Sequence, residues 1–394
     1  MTASVTVVGA SLAGVSTARA LREQGFDGRL TVVGDEPHPP YDRPPLSKDY
    51  LAGTAERAEL DLLTSADDAL EVDWRLGCTA VGLDTAARAV LLEGGGRLVS
   101  DAVVIATGAR ARRLPGPTLA GVHTVRTVDD ATALRAELVP GARLVLIGGG
   151  FIGAEIASTA RALGVDVVVV EALATPLAGP LGADIGRVCA GLHADNGVRL
   201  LTGVGVERVL GDGRVRAVRL VDGRELPADV VVVGIAATPC VGWLAGSGLA
   251  IDPVGGGVRT DAHCATDVAE VLAVGDCASP YRRYAGGALR LEHWTNALKQ
   301  PATAAATLLG QPGVPSADHE VPYFWSDQYD SRLQFAGHRA DGDQVEIVEG
   351  DVETRNFLAV YRRNGEPVAV FAMNRPRPFG RWRRDLASRA TAPV

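Results

Sequence analysis

The chain has 394 residues, 47% of them apolar, with 47 glycines and a formal net charge of −8. That length suits two or three domains, and the negative balance argues against a general nucleic-acid binder, whose surface must neutralise phosphates. No apolar run approaches the roughly 20 residues needed to cross a bilayer, and the N-terminus enters a strand with no basic segment before it, so neither a membrane span nor a signal peptide is expected.

In chain order, Val5-Thr6-Val7-Val8 leads into Gly9-Ala10-Ser11-Leu12-Ala13-Gly14 and a helical run to about Leu21. A second strand, Leu30 to Val33, closes on Gly34-Asp35-Glu36. Strand, glycine turn and helix in that order form a dinucleotide fingerprint, with Asp35 or Glu36 at the interval of a ribose-binding acid. Ser11 stands at the second glycine position, small enough to let a pyrophosphate approach the backbone. The next stretch, PHPPYDRPPLSKDY from Pro37 to Tyr50, is stiffened by prolines and presents Arg43 and Lys48 just after the nucleotide fold. Composition alone favours a surface linker with two solvated cations; its place after the ribose acid argues for a cofactor-facing loop. From Trp74 to Val99 a small β-meander is expected. The strand Ala102 to Ile105 then closes on Ala106-Thr107-Gly108, at the sheet edge where the chain leaves the first domain.

The second unit, from about Val122 to Pro239, repeats this order. The strand Leu144 to Ile147 runs into Gly148-Gly149-Gly150-Phe151-Ile152-Gly153-Ala154-Glu155, and the next strand, Val167 to Val170, ends on Glu171. The first glycine permits the turn and the second admits a pyrophosphate. The third lets helix and strand pack closely, with the helix N-terminus offering N–H groups. A meander with hairpin signals from Val198 to Leu226 follows, then a closing strand, Val230 to Val233. Two such copies are stronger evidence than either one. Aligned on their last glycines, they differ at one position: Ser16 in the first corresponds to Glu155 in the second, a carboxylate read as lying in the first helical turn, beside the expected phosphates.

After this unit, Glu270 to Gly275 reads as a strand returning to the first sheet, with Asp276 at its carboxyl end. Glu292-His293-Trp294-Thr295-Asn296-Ala297 opens a helical run to Leu308. From Val321 the chain becomes aromatic, then alternates as strands, and ends in a basic run of Arg375, Arg377, Arg381, Arg383 and Arg384. A solvated tail is the commoner meaning of such a run, and a docking patch the more informative one. Five scattered cysteines, Cys78, Cys189, Cys240, Cys264 and Cys277, form no C-x-x-C pair, which suggests a reduced, cytoplasmic protein.

These motifs together resemble the FAD-dependent, NAD(P)H-using ferredoxin reductases of the glutathione-reductase structural class, as in bacterial cytochrome P450 and ring-hydroxylating dioxygenase systems. GASLAG, RPPLSK, ATG, GGGFIGAE, GIAATP, VGD, EHWTNA and FWSDQY carry the likeness over nearly the whole chain. The resemblance implies an α/β fold of two Rossmann-like nucleotide-binding domains, the second inserted in the first, plus a C-terminal α+β domain. Its expected boundaries are residues 1–113 and 241–318 for FAD, 114–240 for NADH and 319–394 for the C-terminal domain. It places Gly9, Ser11 and Gly14 at the FAD pyrophosphate, and Glu36, with Asp35 as the alternative, at the adenosine ribose. Arg43 and Lys48 fall on the flavin side and Asp276 at the ribityl chain. Thr107, Gly108, Glu292, His293, Trp294 and Trp325 join the cofactor contacts. Gly148, Gly150, Gly153 and Glu171 would hold NADH, with a Lys48–Glu155 pair where the cofactors meet.

A flavin converts a two-electron hydride donor into single electrons, so the implied reaction runs from NADH through FAD to an iron–sulfur ferredoxin, with Lys48, Glu155 and Trp325 at the reacting centre and no metal required. Glu171 and the cation-free stretch after it favour NADH over NADPH. The basic run would dock an acidic ferredoxin, with Arg282 and Arg283 as further candidates. The alternative is an NADH-responsive flavoprotein of apoptosis-inducing-factor type, with a sensing role.

Overall fold

The computed structural model describes residues 2–116, 119–311, 316 and 320–390. Two five-stranded parallel sheets carry the two fingerprints. The first runs Val271–Ala273, Ala102–Ile105, Ser4–Val8, Arg29–Val33, Val72–Arg75. The second runs Arg199–Thr202, Asp166–Glu171, Arg143–Ile147, Val230–Val233, Val122–His123. Their inner strands are apolar without alternation because both faces are covered; Ala102–Ile105 and Val230–Val233 are buried at every position. Outgoing and returning chain pair between the two sheets, Ala109–Ala111 running antiparallel to Ala237–Pro239, so the second fold is an insertion in the first.

Two sequence expectations need correcting. Ala102–Ile105 is not the sheet edge: Val271–Ala273 returns across the sequence and pairs outside it. Trp74 does not begin the meander but lies in a fifth parallel strand, and Arg199–Thr202 plays the same part in the second sheet. Both are short edge strands with no fully buried residue, so neither shows the continuous apolar run of a central parallel strand. The meanders proper are Ala80–Val99 and Val206–Pro227.

The third unit is an antiparallel sheet ordered Tyr323–Gln328, Ser331–Gly337, Glu366–Met373, Asn356–Arg363, Gln344–Asp351. The basic run is not a free tail. Residues Pro376–Ala390 form a helix that buries Phe379 and Leu386 against Leu358, Val360 and Val370. The other sheet face packs Phe335, Phe357 and Phe371 on Leu181, Ile185 and Leu192 of the helix Ala178–Asp195. At about 1.5–3 kcal/mol per buried Phe or Leu, this seam ties the third unit firmly to the second nucleotide fold.

Candidate functional site

The two glycine turns are built alike. Gly9 has φ +120, and a Cβ there would lie 2.1 Å from the Ala106 carbonyl oxygen; at Gly14 it would lie 1.9 Å from Gly9 O. In the second fold the values are φ +107 and 2.3 Å from Gly234 O at Gly148, and 2.4 Å from Gly148 O at Gly153. A Cβ at Gly150 would meet nothing within 4 Å, leaving its backbone open to a ligand. Neither fingerprint helix, Leu12–Glu23 or Phe151–Ala162, has an acidic residue in its first turn or a side-chain cap. Their first N–H groups are therefore free for an anion. Glu155 accordingly lies one turn deeper than the sequence suggested.

Both turns face one cleft of about 670 Å³, bordered by RPPLSK, Ala106-Thr107-Gly108, Asp276, Glu292-His293-Trp294 and Phe324-Trp325. Glu36 lines it and is paired with Arg43 at 2.6 Å, while Tyr41 donates to the other Glu36 oxygen. Arg43 Nε also donates to Ser11 Oγ at 3.2 Å. The structure thus sets Arg43 between Ser11 of the first glycine turn and Glu36. Asp35 lines the same end of the cleft and is exposed. Asp276 pairs with Arg126 at 2.8 Å. Arg126 Nε and His293 Nδ1 are buried without a partner among the described residues, and both residues line the cleft. An unpaired Arg126 N–H and an unpaired imidazole nitrogen on the cleft wall suit a polyanionic, aromatic ligand such as FAD. Arg126 carries no motif, and nothing in the sequence singles it out.

Deeper in, the two folds meet. Glu155, 2% exposed, is paired with Lys48 through Oε2 at 2.7 Å. Ser47 Oγ donates to the same oxygen at 2.6 Å, and Ser326 Oγ donates to Oε1 at 2.7 Å. The carboxylate is therefore no cap for its own helix. It is held by the loop after the first nucleotide fold and by the third unit. Lys48–Glu155 stands as the sequence suggested; Ser47 and Ser326 were not foreseen, since a lone serine carries no signal.

Glu171 accepts N–H bonds from Gly149 and Leu173, each at 2.8 Å, which fixes it against the second glycine turn. From the third unit Arg339 donates to the carbonyl of Gly179 at 2.6 Å and pairs with Asp341 at 2.7 Å.

On the far wall Trp294 Nε1 donates to Asp42 at 2.8 Å; burial raises the Asp42 carboxyl, and this bond opposes the rise. Trp325 stacks on Tyr323 with centroids 6.0 Å apart, and the Arg383 guanidinium lies 4.0 Å over the Tyr323 ring. His293 packs against Phe324 at 5.2 Å, and Phe324 against Phe151 at 4.7 Å.

Burial lowers His293 to about 4, and His193, bonded to Tyr329 OH at 2.7 Å, also to about 4. Both are neutral in the folded and unfolded states above pH 6.5, their ordinary value. As pH falls below it only the unfolded chain takes the proton, so stability is lost progressively down to about pH 4, by about 3 kcal/mol per histidine. Urea midpoints should therefore fall between about pH 7 and pH 5, and His193→Gln should flatten that slope; a midpoint constant over this range would contradict the burial.

Residues 3–301 match the pyridine nucleotide-disulphide oxidoreductase family and residues 323–394 the reductase C-terminal family. The chlorobenzene dioxygenase ferredoxin reductase component of Cupriavidus sp. is 40% identical over 99% of this chain and 94% of its own length. The biphenyl dioxygenase system ferredoxin–NAD(+) reductase component of Paraburkholderia xenovorans is 39% identical over 98% and 94%. Among solved structures, putidaredoxin reductase in its covalent complex with putidaredoxin superposes with a TM-score of 0.92 at 34% identity, covering 98% of this chain and 93% of that one.

Proposed function

The chain belongs to the pyridine nucleotide-disulphide oxidoreductase family, and from that membership we propose that it is the FAD-dependent reductase that draws electrons from NADH and passes them singly to an iron–sulfur ferredoxin serving a P450 or ring-hydroxylating dioxygenase. The observation that carries this reading is the Lys48–Glu155 pair, which joins the helix after the second glycine turn to the loop after the first nucleotide fold inside one cleft. Disulfide chemistry is not its business. Among the described residues no cysteine borders the cleft, and burial pushes the Cys189 and Cys264 thiols up to about 12, where they are poor nucleophiles.

Bound FAD would supply the exchange between a two-electron hydride donor and a one-electron acceptor. The protein's part is binding and orientation. Residues 1–113 and 241–318 hold FAD: Gly9, Ser11 and Gly14 at its pyrophosphate, Glu36 with Arg43 at its ribose, and Asp276 with Arg126 along its middle. Residues 114–240 hold NADH by Gly148, Gly150, Gly153 and Glu171. Lys48 and Glu155 fix the meeting point, and Trp325 covers it from residues 319–394. No helix among the described residues is long and apolar enough to cross a membrane, and we place the enzyme in the cytoplasm with its coenzyme.

A 2′-phosphate would meet the Glu171 carboxylate, with no cation in the sequence from Ala172 to Gly186. NADH should exceed NADPH in kcat/KM by about a hundredfold, the equivalent of about 3 kcal/mol. Glu171→Ala should narrow that ratio at least tenfold; a wild-type preference for NADPH would refute the assignment.

For the ferredoxin, Arg377, Arg381, Arg384 and Arg389 are exposed cations of the C-terminal helix, and Arg389 is paired with Glu366 and Asp385. Arg375 and Arg381 share Glu349 at 3.7 and 3.3 Å, which dilutes the patch. Arg282 is 2% exposed and is removed from the docking surface. Replacing Arg377, Arg381 and Arg384 together by alanine should raise the KM for an acidic ferredoxin about tenfold, less at high salt, and spare NADH-driven dye reduction. An unchanged KM would move docking elsewhere.

A further inference from the structure

The strand Tyr323–Gln328 places Ser326 and Gln328 two residues apart on one face, both buried, at 0% and 1% exposure. A buried hydroxyl must both donate and accept, and Ser326 does each once. Gln328 Nε2 donates to Ser326 Oγ at 3.1 Å, so the hydroxyl proton goes to Glu155 Oε1 at 2.7 Å. The other carboxylate oxygen receives Ser47 Oγ and Lys48 Nζ, and the Ser47 carbonyl is in turn held by Thr159 Oγ at 2.8 Å. The two oxygens are thus divided between two parts of the chain: Oε2 belongs to the flavin-side loop, Oε1 to the C-terminal unit. Next along the strand is Trp325, which lines the cleft.

Resting on the ferredoxin-reductase reading, we propose that Ser326, oriented by Gln328, is a positioning residue for hydride transfer. It holds Glu155 in the rotamer that keeps Lys48 at the meeting point of the two nucleotide sites. The C-terminal unit then serves the NADH half-reaction as well as the ferredoxin. Without the Ser326 donor, Oε1 is left unsatisfied in a buried place. The carboxylate turns to recover a partner, and the Lys48 ammonium loses its fixed position. A serine that merely satisfied a buried charge would affect stability and leave the reaction alone.

The test uses flavin-loaded protein. In anaerobic stopped-flow mixing with NADH, Ser326→Ala should lower the limiting rate of flavin bleaching about thirtyfold, while the dissociation constant for NAD+ measured by calorimetry changes less than twofold. In a Glu155→Gln background the same substitution should change the rate less than twofold, because the group it positions is already gone. A crystal structure of Ser326→Ala should show Lys48 Nζ more than about 4 Å from the Glu155 carboxylate, beyond ion-pair contact. Gln328→Leu, which frees the hydroxyl to rotate, should give a smaller loss in the same direction and serves if the alanine variant does not fold. A limiting rate equal to wild type, or an equal loss in the Glu155→Gln background, would overturn the positioning role alone. Wild-type protein whose flavin NADH does not bleach would overturn the functional reading beneath it.

Discussion

Gly14→Ala is expected to yield protein without flavin, whereas Gly153→Ala should be yellow yet respond poorly to NADH. The chemical change is the same in both, and so is the local geometry: the new Cβ would lie 1.9 Å from Gly9 O in one fold and 2.4 Å from Gly148 O in the other. Neither backbone oxygen can yield without parting the helix from the glycine turn, which opens the N–H cradle for a pyrophosphate. Flavin absorbance per protein should fall at least tenfold in Gly14→Ala. In Gly153→Ala the flavin content should be near wild type and the KM for NADH raised about a hundredfold. An exchange of these phenotypes would reverse the assignment of the two folds.

Glu155→Gln is expected to lower the limiting rate of flavin reduction about a hundredfold with little change in NADH affinity. The substitution keeps the shape of the side chain and strands the Lys48 ammonium, which is paired at 2.7 Å. Breaking a buried ion pair by removing one partner typically costs about 3–5 kcal/mol, so the melting temperature should fall as well. Lys48→Met should give a loss of similar size, and the double variant should be no slower than either single one, since the two groups act as a unit. NADH affinity should survive because Gly148, Gly150, Gly153 and Glu171 are untouched. If Glu155 served only its own helix, the rate would stay at the wild-type level.

What the sequence made legible was what the backbone itself imposes. A strand that turns through Gly9 or Gly148 at positive φ and packs its helix through Gly14 or Gly153 has few alternatives, so both nucleotide folds could be read directly. Lys48 with Glu155 followed once the two folds had been given different cofactors by resemblance. Other parts depended on tertiary placement that no local pattern encodes. Arg126 lies far from every motif and reaches Asp276 across 150 residues of sequence. Arg43 was read with its neighbour Lys48; the turn Pro44–Ser47 separates them, and Arg43 pairs with Glu36. The basic C-terminal run reads as a tail by charge alone. Its apolar side, Phe379 and Leu386, is what makes it a packed helix. Val72–Arg75 and Arg199–Thr202 escaped because each is a short edge strand with no fully buried residue, and so lacks the continuous apolar run that marks a central parallel strand.

The conversion of a hydride into single electrons for a ferredoxin is tested most directly by NADH-driven cytochrome c reduction, measured with and without an added iron–sulfur ferredoxin. The expected result is rapid turnover that depends on the ferredoxin and saturates with it. Slow flavin reduction by NADH, a long-lived charge-transfer complex and no stimulation by any ferredoxin would contradict it, and would point to a sensor in place of a reductase.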